Sequence, residues 1–262
     1  MSIEESKKRT ALVTGAARGI GLACATHFAK SGIQVAITDI DFETAAAETE
    51  ILKSAGYDVV AIRMDVRSEE EVKNGMAECI SVFGGLDILL SNAGIQIVHP
   101  FNEFPFAEWK DMMAVHADGA FLTSQAAYKH MMLNGGGQII FMASLSSYEA
   151  PVLKVPYTFA KHGLVGLSKV LAKEGAEYNI HTYCVCPAFV RTALVENQIP
   201  EQALALGLTE EEVIRDVMLK STVDGKFTSL EEVARIVKFA ADDISGSHTG
   251  QSFIISHGWG MR

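Results

Sequence analysis

Short apolar runs rich in Val, Ile and Leu recur along the chain at Thr10–Thr14, Gln34–Asp39, Val59–Met64, Leu86–Ser91, Gln138–Ala143, Ile180–Cys186 and Ser252–Ser256, with helix-sized stretches between them. Such alternation predicts strands that return in the same direction after each helix, and a parallel sheet covered on both faces. The fold class expected is therefore α/β, a doubly wound domain of about seven strands. No repeat, low-complexity tract or linker interrupts the pattern, and Gly135-Gly136-Gly137 is a turn signal. One segment breaks the rhythm. Residues 191–227 run long between two strands, with helical pieces around Glu201–Leu206 and Glu210–Lys220. Placed at the carboxyl end of a strand, this segment is either a helical substrate lid or a packing appendage.

Composition narrows the picture. A chain of 262 residues, 48% apolar, can build one large core, so a single domain over 1–262 is expected. The 22 basic and 32 acidic side chains give a formal charge of -10, which argues against nucleic acid and against an anionic membrane surface as partners. Ser68 to Glu71, Thr209 to Glu212 and Ser229 to Glu232 each read Ser/Thr-x-x-Glu, so these acidic runs are expected to be capping boxes. Ser2 to Thr10 is polar and no apolar run approaches a membrane span, which predicts a cytoplasmic protein. Cys24, Cys79, Cys184 and Cys186 lack zinc spacing and read as reduced structural thiols, while His99, His162, His181 and His257 form no ligand pattern. No metal is expected. Trp109, Phe121 and Tyr128 read as core or subunit-interface residues.

The chemistry is concentrated after the strands. Gly15-Ala16-Ala17-Arg18-Gly19-Ile20-Gly21 follows the first strand and opens a helix. Gly15 suits a tight turn, Gly19 an approach of backbone to a pyrophosphate, and Gly21 close helix packing. Asp39 ends the second strand, where a carboxylate accepts from both hydroxyls of an adenine ribose and repels a 2′-phosphate, favouring NAD. Arg18 is the contrary hint, since a guanidinium there could meet a phosphate. Asp65-Val66 and Asn92-Ala93-Gly94 follow the third and fourth strands, at the sheet end where such folds bind ligands. Tyr157 lies four residues before Lys161, on the same helical face, with Ser144 thirteen positions upstream. An ammonium beside a phenol favours the phenolate, so the pair is expected to lower the Tyr157 pKa and make a general acid and base.

Together these residues resemble the short-chain dehydrogenase/reductase superfamily over nearly the whole chain. The resemblance implies a Rossmann-like, nicotinamide-dependent oxidoreductase. In it Tyr157 exchanges a proton with the substrate oxygen, Ser144 hydrogen-bonds that oxygen, and Lys161 binds the nicotinamide ribose. Pro187, Val190 and Thr192 would embrace the nicotinamide carboxamide. The stretch Val190 to Ile199 and the ending Ser256-His257-Gly258-Trp259 are similar to bacterial D-3-hydroxybutyrate dehydrogenases. That narrower likeness implies that Gln96, Lys154 and Gln198 hold a substrate carboxylate while Phe189 and Trp259 enclose its methyl end. Three positions depart from the pattern. His116 stands where an asparagine tied to the proton relay is usual, and reads either as a catalytic group able to hold water or shuttle protons, or as a capped or solvent-facing histidine. Ser146 replaces a substrate-contacting histidine, and Phe189 replaces a tryptophan, enlarging the pocket. The expected reaction is reversible NAD-dependent oxidation of D-3-hydroxybutyrate to acetoacetate. The alternatives are reduction of another 3-oxo compound such as a 3-oxoacyl thioester, or a catalytically silent NAD-binding protein. The resemblance also implies a homotetramer, bundled through helices around Trp109–Met132 and Tyr157–Tyr178.

Overall fold

The computed structural model describes residues 8–261; most of the polar opening stretch, residues 2–7, lies outside them. Seven strands, β1 (Thr10–Thr14), β2 (Gln34–Asp39), β3 (Val59–Arg63), β4 (Ile88–Ser91), β5 (Gly137–Met142), β6 (Ile180–Pro187) and β7 (Ser252–Ile255), form one sheet in the order β3-β2-β1-β4-β5-β6-β7. Every pairing is parallel, with Val13 opposite Ile37 on one side and Leu90 on the other. The order turns back between β1 and β4, and the loops leaving those strands therefore splay apart into a crevice.

Both faces are covered, which is why the strands read as continuous apolar runs. Val13, Ile37, Leu90, Ile140 and Val185 pack against helices α1 (Gly19–Lys30) and α2 (Phe42–Ser54), and against the helix over Leu230–Ala241. Leu12, Ala36, Leu89, Ile139 and Cys184 face α3 (Glu69–Phe83) and the helices over Gly119–Leu133 and Val155–Glu174. All four cysteines are free and buried, and Cys184 and Cys186 share the second face, as residues two apart on a strand must.

The long helical stretch around Trp109 is not one regular helix. It comprises α4 (Phe106–Met113), a π-turn over Ala114–Asp118 that carries His116, and α5 (Gly119–Leu133). α6 (Val155–Glu174) follows, and presents Tyr157 and Lys161. The inserted segment differs from its expected outline. Its first helix, α7 (Ala193–Leu206), begins well before Glu201 and runs through Pro200. The short α8 (Glu210–Glu212) leads into a second π-turn over Val213–Met218 before α9 (Leu230–Ala241). Val195, Ile199, Val213 and Met218 form a small core of their own beside Phe189 and Phe227, so the segment has a built interior and lies over the sheet's carboxyl end. Thr209 and Ser229 make complete capping boxes with Glu212 and Glu232. Ser68 does not. It accepts from the Glu71 N–H, but the Glu71 carboxylate turns instead to the Asp65 N–H at 2.8 Å and to Arg63 at 2.6 Å.

Candidate active site

The glycine loop after β1 is pinned by the loop after β4. Thr14 Oγ1 accepts from the N–H groups of Asn92 and Ala93 at 2.9 and 3.0 Å, and Asn92 Nδ2 donates to the carbonyls of Thr14 and Gly15 at 2.9 and 3.0 Å. Gly15 has φ +62, and a Cβ there would sit 2.7 Å from Ala93 Cα. At Gly21 a Cβ would meet the Gly15 carbonyl oxygen at 2.2 Å, so α1 can start against the loop only as glycine. Arg18 caps α1 without a side-chain bond, leaving the first-turn N–H groups turned toward the crevice. Asp39 accepts from the N–H groups of Ala17 and Asp41 at 2.9 Å each, which fixes its carboxylate at the crevice wall. Arg18 bonds Asp41 and lies 3.3 Å from Thr44 Oγ1. The guanidinium is thus engaged by a carboxylate while Arg18 still lines the cleft. Asp65 is held by Arg67, and its carboxyl is kept low chiefly by that hydrogen bond. The resulting cleft has a volume of about 620 Å³. All the nucleotide-site candidates line it, from Gly15, Arg18, Gly19, Ile20 and Gly21 through Asp39, Asp65, Val66, Asn92, Ala93 and Gly94 to Pro187, Val190 and Thr192. These residues fit a dinucleotide: fixed N–H donors at a helix start, a carboxylate at the end of β2, and glycines where a Cβ would intrude.

Ser144, Tyr157 and Lys161 stand where this cleft meets a smaller pocket, and Ser144 and Tyr157 line both. Burial raises the Tyr157 pKa, and a hydrogen bond with the Ser144 side chain opposes the rise. Lys161 lines the same cleft as that phenol. Its Nζ lies 5.4 Å from the centre of the Tyr157 ring and donates to the Met142 carbonyl at 2.6 Å. The net shift of the phenol is thus upward, from burial, and the ammonium expected to lower it donates to main chain and is itself pushed down to about 8 by burial. His116 is buried, with its ring edge-on to Tyr157 at 5.3 Å, so the solvent-facing reading is wrong. Its Nε2 lies 2.7 Å from the Ile95 carbonyl oxygen and 3.2 Å from the Ile95 N–H. One nitrogen cannot serve both; the shorter contact makes Nε2 the donor and leaves Nδ1 a buried acceptor with no partner among the described residues. Burial, with Lys161 nearby, lowers the His116 pKa to about 3. At working pH it is a neutral imidazole, unable to carry a proton as imidazolium.

The smaller pocket has a cavity volume of about 70 Å³, and Gln96, Lys154, Phe189, Gln198 and Trp259 all reach it. Lys154 is buried, donates to Gln198 Oε1 at 2.7 Å, and lies 4.8 Å from the centre of the Phe189 ring. Burial alone draws its pKa down to about 8. Phe189 and Trp259 stack at 5.9 Å, forming an apolar wall. Gln96 is turned onto the Ile97 carbonyl at 3.0 Å. Ser146 lines the pocket, its N–H donating to Ser144 Oγ at 3.1 Å. Leu194 and Val195 bring α7 into both cavities, so the inserted segment does cover the site. Sequence reasoning missed these two, as well as Glu149 and Pro151 in the small pocket and Asp41 and Arg67 in the cleft. Asp41 was within reach, two residues beyond a strand-ending aspartate at the opening of a helix.

A doubly wound sheet, a glycine loop beneath a dinucleotide-sized cleft and a Ser144–Tyr157–Lys161 group at its inner end define an oxidoreductase of the nicotinamide-using kind. Residues 9–203 match the family model for short chain dehydrogenase, and this chain belongs to that family. It is 37% identical to the D-beta-hydroxybutyrate dehydrogenase of Rhizobium meliloti (strain 1021), over 96% of this chain and 98% of that one. It is also 32% identical to the 3-oxoacyl-[acyl-carrier-protein] reductase of Aquifex aeolicus (strain VF5), over 95% and 96% of the two chains. Among solved structures, a gluconate 5-dehydrogenase from Burkholderia cenocepacia J2315, in complex with NADP and tartrate, superposes with a TM-score of 0.86 at 29% identity, covering 95% and 94%. Among the described residues no helix is long and apolar enough to cross a membrane.

Proposed function

We propose that this protein catalyses the reversible, NAD-dependent oxidation of D-3-hydroxybutyrate to acetoacetate. The observation that carries this reading is Lys154: an ammonium buried in the wall of a small pocket that also holds Tyr157, and bonded to Gln198. A buried cation with an amide partner is a costly arrangement that a carboxylate would relieve. The Phe189–Trp259 wall of the pocket suits the methyl end of a short acid.

In the oxidative direction Tyr157, as phenolate, takes the hydroxyl proton at Oη and Ser144 Oγ holds the same oxygen, while Lys154 fixes the carboxylate end. Reduction runs the same contacts backwards. A nicotinamide cofactor in the larger cleft supplies the hydride acceptor. Asp39 favours NAD, because its fixed carboxylate would face a 2′-phosphate. The test is the initial rate of NADH formation with D-3-hydroxybutyrate, its L enantiomer and a neutral 3-hydroxybutyrate ester, each with NAD and with NADP. Turnover confined to the D acid with NAD is expected. Preference for the ester or for NADP would overturn the assignment in favour of a thioester or general carbonyl reductase.

A further inference from the structure

Near the C-terminus the backbone does something that the pocket chemistry alone does not require. His257 has φ +48, in the left-handed region that a residue with a Cβ adopts only where its surroundings hold it. Gly258 and Gly260 follow at φ +83 and +65, so the chain makes a tight reversal with a histidine at its first left-handed position. Its imidazole reaches across to two other elements. Nδ1 lies 2.9 Å from Asp224 Oδ2, in the last turn of the segment over the pocket, and Nε2 lies 3.7 Å from Glu232 Oε2 at the start of α9. The His257 carbonyl accepts from the Val223 N–H at 2.8 Å, giving a third tie to the same segment. Lys226 lies 4.0 Å from Asp224, and Ser229 shares the Glu232 carboxylate through its N–H and hydroxyl, each at 2.7 Å. These side chains do not form a group that could hold a metal ion.

What this junction positions is the substrate pocket. Trp259, two residues on, stacks against Phe189, and Phe189 carries the Lys154 ammonium on its face. Phe227, three residues beyond Asp224, packs in the same cluster as Phe189. The imidazole has carboxylates on both of its nitrogens.

We propose that His257 is a positioning residue for the substrate pocket, clasping the end of the covering segment and the start of α9 to the C-terminal turn. The inference rests on the proposed reaction for its kinetic readout only.

The experiment compares wild type with His257→Gly, which removes the imidazole and relieves the left-handed strain, so loss of folding is not expected. KM and kcat for acetoacetate reduction are measured for both. The expected result is a KM raised about fivefold in His257→Gly, with kcat within about twofold of wild type. His257→Gln, which keeps one donor for Asp224, should recover most of the loss in KM. Hydrogen exchange over residues 191–227, read without substrate, should be faster in His257→Gly than in wild type. An unchanged KM, an effect on kcat instead of KM, or unchanged exchange would overturn the clasp. If wild type turns over no acetoacetate, the proposed reaction has failed, and the exchange measurement alone decides for or against His257.

Discussion

Lys154 and Lys161 are both ammonium groups drawn down to about 8 by burial, yet they answer to different partners, an amide oxygen and a main-chain carbonyl. Below about pH 8 each is charged in the folded chain and carries its desolvation cost. Between there and the ordinary lysine value near 10.5 the unfolded chain binds more protons than the folded one, so these groups make stability rise with pH through that window. Substrate affinity runs the other way, because a carboxylate needs Lys154 charged, and KM for the acid is expected to climb above about pH 8. Replacing Lys154 with Met should raise KM for D-3-hydroxybutyrate by about 10- to 100-fold, the equivalent of a lost charge-assisted hydrogen bond, and leave a neutral ester almost untouched. Equal losses on acid and ester would show that Lys154 supports the wall rather than binding the anion. His116 gives a sharper contrast between residue type and residue state. With its pKa near 3 it does not titrate in the working range, so His116→Asn should keep the shape of the pH–rate profile. An amide there can both donate to and accept from Ile95, which the single Nε2 cannot. A variant that loses the acid limb of the profile would show that His116 does carry a proton.

At the scale of elements, the contact between α1 and the glycine loop leaves no room for adjustment, since the neighbour of a Cβ at Gly21 is a main-chain oxygen 2.2 Å away. Gly21→Ala should therefore displace the helix start, cost about 1–3 kcal/mol in denaturant unfolding and weaken NADH binding measured by fluorescence. Full-strength NADH binding in that variant would mean that the helix start does not hold the cofactor. This loop was legible because glycine spacing, strand and helix all coincide in sequence. The sheet was legible for a similar reason: strands buried on both faces become continuous Val/Ile/Leu runs, and β1 and β2 fall on their expected residues. What escaped was set by contacts between distant segments. Glu71 left its capping box for Asp65 and Arg63, and α7 began early because Val195 and Ile199 pack on Val213 and Met218. The π-turn around His116 follows no local signal; it coincides with a bulky ring whose atoms come within 2.7 Å of where a Cβ at Gly94 would stand. The committed state of Lys161 was equally invisible, since its partner Met142 is nineteen residues away in sequence.

Over the whole molecule, the sheet's two faces are closed by helices, but the outer sides of α4, α5 and α6 are not polar throughout. Phe106 is 74% exposed, Phe121 49%, Phe159 60% and Val170 51%, with Phe159 against Trp109 at 5.4 Å. Large side chains left half open on neighbouring helices are the usual mark of a surface that is covered in the assembled protein. We propose that a second copy of this chain covers them, in keeping with the homotetramer that the family resemblance implies. The net charge of -10 bears on the choice of partner, since like-charged copies associate only where an apolar contact outweighs their repulsion. Light scattering on the purified protein should give a mass of about four chains, and Phe159→Glu should lower it by placing a carboxylate in each apolar contact, where an unpaired buried charge is strongly unfavourable. Added salt should screen the repulsion and push the wild type toward the larger species. A wild-type mass of one chain, unaffected by salt, would mean that these aromatic rings face water in the working enzyme.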